Sequence, residues 1–166
     1  MQLVDLQPLI PDLIADQRYA TANNVTGEVL YHNLPLQLAS PAAEALSRAA
    51  EDFRAQGLRL VVWDAYRPIE AHAKLRAIEG DTKYVAENSK HCLGVAVDLT
   101  LADNDGQYLD MGTDFDDFSP RAHFDASDLS DEQRQHRALL QQTMLSAGFT
   151  PWAYEWWHFE YPASGQ

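Results

Sequence analysis

The chain has one cysteine, Cys92, and therefore no intramolecular disulfide. It has no apolar run of about 18 residues, the length a bilayer-spanning helix needs. Basic residues are scarce, with 12 Lys and Arg against 25 Asp and Glu and a net charge of −13. Such a surface repels nucleic acid and anionic membranes and excludes both as expected partners. The opening residues, Met1-Gln2-Leu3-Val4-Asp5, lack the basic and apolar regions of a secretory signal, so a cytoplasmic location is expected. No internal repeat, low-complexity tract or linker breaks the chain. Its 166 residues, 46% of them apolar, suit one domain spanning 1–166 with a substantial core.

Local patterns give the elements. Residues 1–39 are rich in turn formers and predict short strands in an irregular segment. Ser40-Pro41 reads as N-cap and first helical residue, with Leu46, Ala49, Ala50 and Phe53 at helical spacing up to Gly57. Leu58 to Asp64 predicts a strand that hands over at Arg67-Pro68 to a helix ending near Gly80. Gly94 to Leu101 predicts a second strand, with Ala96, Asp98 and Thr100 on one face. Residues 107–128 read as an acidic loop. Ser130-Asp131-Glu132-Gln133 is a capping box opening a helix to Gly148, and Tyr154 to Tyr161 predicts a short aromatic strand. Strands and helices do not alternate regularly. The expectation is an α+β domain with a small, mostly antiparallel sheet flanked by about three helices.

Two stretches carry chemistry. Ser89-Lys90-His91-Cys92-Leu93-Gly94-Val95-Ala96-Val97-Asp98 holds a histidine and an aspartate. Glu155-Trp156-Trp157-His158 holds a second imidazole and a spare carboxylate. A catalytic zinc site needs three protein ligands, an open position for water and a base near that water. Seven residues of extended strand reach roughly 23 Å, at about 3.3 Å each, so His91 and Asp98 can share an ion only if the chain folds back. Gly94 lies between them and permits such a bend. On a regular strand Trp156, His158 and Glu160 share one face and Glu155 points the other way, so Glu155 needs a bend to reach the same water. Taken singly, each of these side chains is more often hydrogen-bonded or solvated than metal-bound. His32, His72, His123 and His136 read as structural or surface histidines. Cys92 reads as a small, wholly or partly buried residue.

The pattern Ser-x-His-x-x-Gly-x-Ala-x-Asp (Ser89, His91, Gly94, Ala96, Asp98) followed by Glu155-Trp156-Trp157-His158 resembles the double signature of the VanX-type D-alanyl-D-alanine dipeptidases. That family belongs to the zinc D,D-peptidases that share a fold with the hedgehog signalling domain. Trp63-Asp64-Ala65-Tyr66-Arg67-Pro68 is similar to its arginine segment. Tyr19-Ala20-Thr21, with Asn24 and Thr26-Gly27, is similar to its N-terminal pocket segment. Met111-Gly112-Thr113-Asp114-Phe115-Asp116 is similar to its post-strand loop. The resemblance implies one zinc ion held by His91, Asp98 and His158, with Glu155 as general base and Arg67 stabilising the oxyanion. It implies Ser89, Tyr19 and Asp116 as substrate-binding residues, Asp116 facing the substrate ammonium, and D-Ala-D-Ala as substrate. A D,D-carboxypeptidase or wall endopeptidase of the same group is the nearest alternative, and a zinc-binding domain without turnover a further one. The stretch from Gly80 to Asn88 is short where better-known relatives carry a longer insertion over the pocket.

Overall fold

The structure is a computed structural model and describes residues 2–80, 84–85 and 87–162. Part of the short stretch over the pocket, residues 81–83 and 86, lies outside the described residues.

The N-terminal segment supplies strand β1 (Leu3–Asp5), a one-turn helix α1 (Leu6–Leu9), strand β2 (Ile14–Ala15), a 3-10 turn (Arg18–Ala20) and strand β3 (Gln37–Ala39). The short strands were expected. Helix α1 was not, because its single turn is nucleated by a local cap, the Asp5 carboxylate accepting the Gln7 N–H at 3.1 Å. Helix α2 (Ser40–Arg54) follows β3 without a loop. Its cap is Ala39, one residue earlier than Ser40. Ala39 is still paired with Leu3 in the sheet, so the chain turns directly from strand to helix. Pro41 falls where a missing N–H costs nothing. The alanine-rich face of α2 lets it pack closely on strand β4 (Leu58–Asp64).

Helix α3 (Ile69–Glu79) follows Pro68 and stops at Gly80, as expected. Next come a 3-10 turn (Lys90–Leu93) and strand β5 (Ala96–Asp103). Strand β5 begins two residues after Gly94 because Gly94 itself closes the preceding turn, with φ +66° and its N–H on the His91 carbonyl at 2.9 Å. A Cβ there would lie 2.7 Å from Leu3 Cδ2 and 3.2 Å from the Ala39 nitrogen, so both conformation and space require glycine. Helix α4 (Asp131–Ser146) opens on the expected capping box. It packs on α2 and leads into a hairpin of β6 (Thr150–Trp152) and β7 (Glu155–Glu160). The hairpin replaces the single C-terminal strand that the aromatic pattern predicts.

The main sheet has the order β2-β4-β5-β7-β6, with β2 parallel to β4 and every other pair antiparallel. Strands β1 and β3 form a separate antiparallel pair. The α+β class and the mostly antiparallel sheet are therefore observed. Arg137, buried on α4, donates to the carbonyls of Met111, His123 and Arg121 at 2.7, 2.9 and 3.0 Å and lies over the Trp156 ring. Burial lowers its pKa to about 10. These bonds pin the acidic 107–128 loop, and with it Asp116, against the sheet. No helix among the described residues is long and apolar enough to cross a membrane.

Candidate active site

The site grows from two irregularities in strand pairing. Between β4 and β5, Val62 pairs with Leu99 and Asp64 with Asp98, leaving Trp63 as an extra residue. On the other side of β5, Asp98 pairs with His158. Residues paired across an antiparallel ladder share a face, so Asp64, Asp98 and His158 form a row over three strands. Between β6 and β7, Pro151 pairs with Phe159 but Trp152 pairs with Glu155, so Trp156, Trp157 and His158 have no opposite number on β6. This is the bend that Glu155 needs. It brings Glu155 Oε2 to 3.9 Å from His158 Nδ1.

His91 enters from the 3-10 turn before Gly94. Its Nδ1–H donates to the Ala65 carbonyl at 2.8 Å, turning Nε2 inward. That nitrogen lies 3.3 Å from Asp98 Oδ2 and 3.3 Å from His158 Nδ1, and His158 Nδ1 lies 2.9 Å from Asp98 Oδ1. Donors about 2.1 Å from a tetrahedral ion stand roughly 3.4 Å apart. Two imidazole nitrogens and a carboxylate oxygen at these spacings thus fit a borderline-soft divalent ion, and His91, Asp98 and His158 form a possible metal site.

The charges around this cluster are strongly perturbed. Burial opposes ionisation of Asp98, but His91 and His158 outweigh it and hold the carboxyl well below the usual range. Burial works against the His158 imidazolium too. Its hydrogen bonds to Asp98 and Glu160 prevail and push it up to about 10. Glu155 is raised to about 8, chiefly by burial, and Asp116 to about 7 for the same reason. Pairs of titratable groups pushed apart in this way mark acid–base sites.

Arg67 lies beneath the cluster, 5% exposed. Its Nε–H and Nη2–H donate to Asp64 Oδ2 at 2.9 and 2.6 Å, and Nη1 meets His72 Nδ1 at 3.2 Å. Among the described residues these bonds use three of the guanidinium's five N–H groups, and Arg67 lines the cavity. Burial disfavours the charge, but Asp64 more than compensates and the pKa is raised. The guanidinium also sits over the Tyr19 ring at 4.7 Å. Tyr19 O–H donates to Asp116 Oδ1 at 3.0 Å, and the Val25 N–H to Asp116 Oδ2 at 3.3 Å. Asp116 holds a left-handed backbone, φ +60°, a strained conformation that aims its carboxylate at the cavity. Ser89 caps the 3-10 turn, accepting the His91 N–H at 3.3 Å, and among the described residues its own O–H has no acceptor.

All eight residues singled out in the sequence, Tyr19, Arg67, Ser89, His91, Asp98, Asp116, Glu155 and His158, line one cavity of about 270 Å³. Of the histidines set aside, His32 is exposed and His136 binds the Asp110 carbonyl, but His72 supports Arg67. Sequence reasoning gave no role to His72 or Asp64. Asp64 had a visible signal, a carboxylate ending an apolar strand three residues before an arginine. His72 had only its place in the first turn of a helix starting at Arg67-Pro68.

Two imidazoles and a carboxylate around one point, a buried acid of raised pKa beside them and a guanidinium below form the constellation of a metallopeptidase. The family model for D-ala-D-ala dipeptidases, Peptidase_M15, matches residues 1–165, and the chain belongs to that family. It is 39% identical over 164 residues to the D-alanyl-D-alanine dipeptidase of Escherichia coli (strain K12), covering 97% of this chain and 85% of the relative. It is 32% identical over 169 residues to the D-alanyl-D-alanine dipeptidase of Enterococcus faecalis, covering 87% and 84%. Its fold is similar to that of the LdcB LD-carboxypeptidase, with a TM-score of 0.51 at 17% identity over 98% of this chain and 69% of the other.

Proposed function

We propose that this chain, acting as a single domain, hydrolyses D-Ala-D-Ala to two D-alanines with one zinc ion held by His91, Asp98 and His158. The observation that carries the reading is the convergence of both acids, the guanidinium and the ligand cluster on one small cavity. Zinc bound there supplies a Lewis acid and a water acidic enough to react near neutrality. Glu155 accepts the proton of the attacking water and delivers it to the leaving amine. The N–H groups of Arg67 face the carbonyl oxygen as negative charge develops on it, where a pre-set donor is worth about 3–4 kcal/mol. Asp116, held by Tyr19, pairs with the substrate ammonium, and the Ser89 hydroxyl, which lines the same cavity, orients the substrate. A cytoplasmic location belongs to the same proposal and is tested by fractionation.

The experiment is zinc analysis of purified protein together with D-alanine release from D-Ala-D-Ala, L-Ala-L-Ala and a longer muropeptide. One zinc per chain and turnover of D-Ala-D-Ala alone are expected. Preferred cleavage of the muropeptide would move the protein to the carboxypeptidase reading. Zinc without turnover of any substrate would make it a binding domain.

A further inference from the structure

Which nitrogen of a histidine meets a metal is set by what holds the other nitrogen. For His91 the backbone decides, because Nδ1–H donates to the Ala65 carbonyl and Nε2 turns inward. His158 has the reverse arrangement. Its Nδ1 points at Asp98 and His91, and its Nε2 lies 3.4 Å from Glu160 Oε1. Metal binding requires the neutral imidazole, which has one N–H to place. Asp98 Oδ1, 2.9 Å from Nδ1, draws the proton to the nitrogen whose lone pair a metal needs. Without a competing acceptor, the favoured tautomer of His158 would be the wrong one for an ion.

Glu160 is that acceptor. It lies two residues after His158 on β7, hence on the same face of the strand. It pairs across the sheet with Ala96, whose methyl leaves room for the carboxylate to lean towards the imidazole. Its side chain is 31% exposed against 12% for His158, so it reaches the ring from the solvent side of the cavity it helps to line.

We propose that Glu160 is a positioning residue: it accepts the Nε2–H of His158 and so fixes the tautomer and ring orientation that present Nδ1 to the ion. The proposal rests on the metal assignment of the proposed function and names no contact with substrate. Removing such partners weakens metal binding 10- to 100-fold, and a separation of 3.4 Å puts the expected effect near tenfold.

The test is the zinc dissociation constant, measured by competition with a chromophoric chelator, for wild type, Glu160→Ala and Glu160→Gln. Glu160→Ala should bind zinc about tenfold more weakly. Glu160→Gln retains a carbonyl acceptor and should stay within about threefold of wild type. A structural role alone would lower Tm in both variants without this ordering of zinc affinities. A folded Glu160→Ala with unchanged zinc affinity would overturn the proposal while leaving the metal site standing. Equal weakening in both variants would also overturn it, since charge rather than the hydrogen bond would then matter. A wild-type protein that binds no zinc would remove the metal assignment and this proposal together.

Discussion

Replacing Glu155 by glutamine should separate what this residue does for the reaction from what it costs the fold. Glu155 is 7% exposed, and burial raises its pKa from 4.5 to about 8. A folded-state pKa above the unfolded one means that the folded protein binds more protons between those values. Stability is then greatest below about pH 4.5 and falls as pH rises through about 8. At about 1.4 kcal/mol per tenfold in proton affinity, the ionised form is disfavoured by at most about 5 kcal/mol. Relaxation and water entry reduce this to on the order of 2–3 kcal/mol in the metal-free protein. Glutamine is nearly the same size and carries no charge. Metal-free Glu155→Gln should therefore gain on the order of 2–3 kcal/mol over wild type at pH 9 and less than about 1 kcal/mol at pH 5, read by urea unfolding at the two pH values. The same variant, loaded with zinc, should retain its metal and lose turnover by at least the 10²–10⁴-fold typical of a lost general base. An equal change in stability at both pH values would refute the burial argument. Near-normal turnover with full zinc would refute the base.

Further outcomes follow from the pocket walls. Arg67→Ala should keep zinc and lower kcat by on the order of 10²–10³-fold with little change in KM, as for a donor used mainly in the transition state. It should also lose about 3–5 kcal/mol of stability, because Asp64 is fully buried and loses its main partner. The double variant Asp64→Asn/Arg67→Ala should recover stability in thermal unfolding without recovering activity. N-acetyl-D-Ala-D-Ala lacks the ammonium that Asp116 pairs with and should not be cleaved. Asp116→Asn should lower kcat/KM for the free dipeptide about 10- to 150-fold, the worth of a charged hydrogen bond, and narrow the gap to the capped one. A gap unchanged by Asp116→Asn would place ammonium recognition elsewhere.

Much of this was legible in the sequence because local rules decide it. The capping box at Ser130 and Gln133 forms as written, since a helix N-terminus needs only its own side chains. Pro68 and Gly80 bracket α3 through their backbone preferences alone. The bend between His91 and Asp98 followed from distance, and the glycine that permits it was in view. The start of α2 was missed by one residue because a tertiary strand pair, Leu3 with Ala39, fixed where the sheet ends. The β6–β7 hairpin was missed because its two-residue turn, Ala153-Tyr154, carries none of the glycine or asparagine that marks a tight turn.

The supporting residues were harder to read for a single reason. A strand pattern of period two tells which residues share a face only while the register is regular. In β4, regular alternation groups Asp64 with Val62 and Leu60, away from the face that Asp98 and Thr100 occupy on β5. The extra residue Trp63 reverses that assignment, and the reversal places Asp64 where it can hold Arg67 and approach His91 Nδ1 at 3.3 Å. In β7, three residues without partners do the same for Glu155. Neither bulge has a signal of its own. Trp63 is settled by packing against Phe115 and Trp156, whose rings come from a loop and from another strand. The direct donors lie on short motifs that the sequence displays. The groups that aim them depend on register, and register is a property of the packed sheet. The carboxylates Asp64 and Glu160 divide along the same line: the first reaches its histidine through a bulge, while the second lies on regular strand and shares a face with His158 by simple alternation.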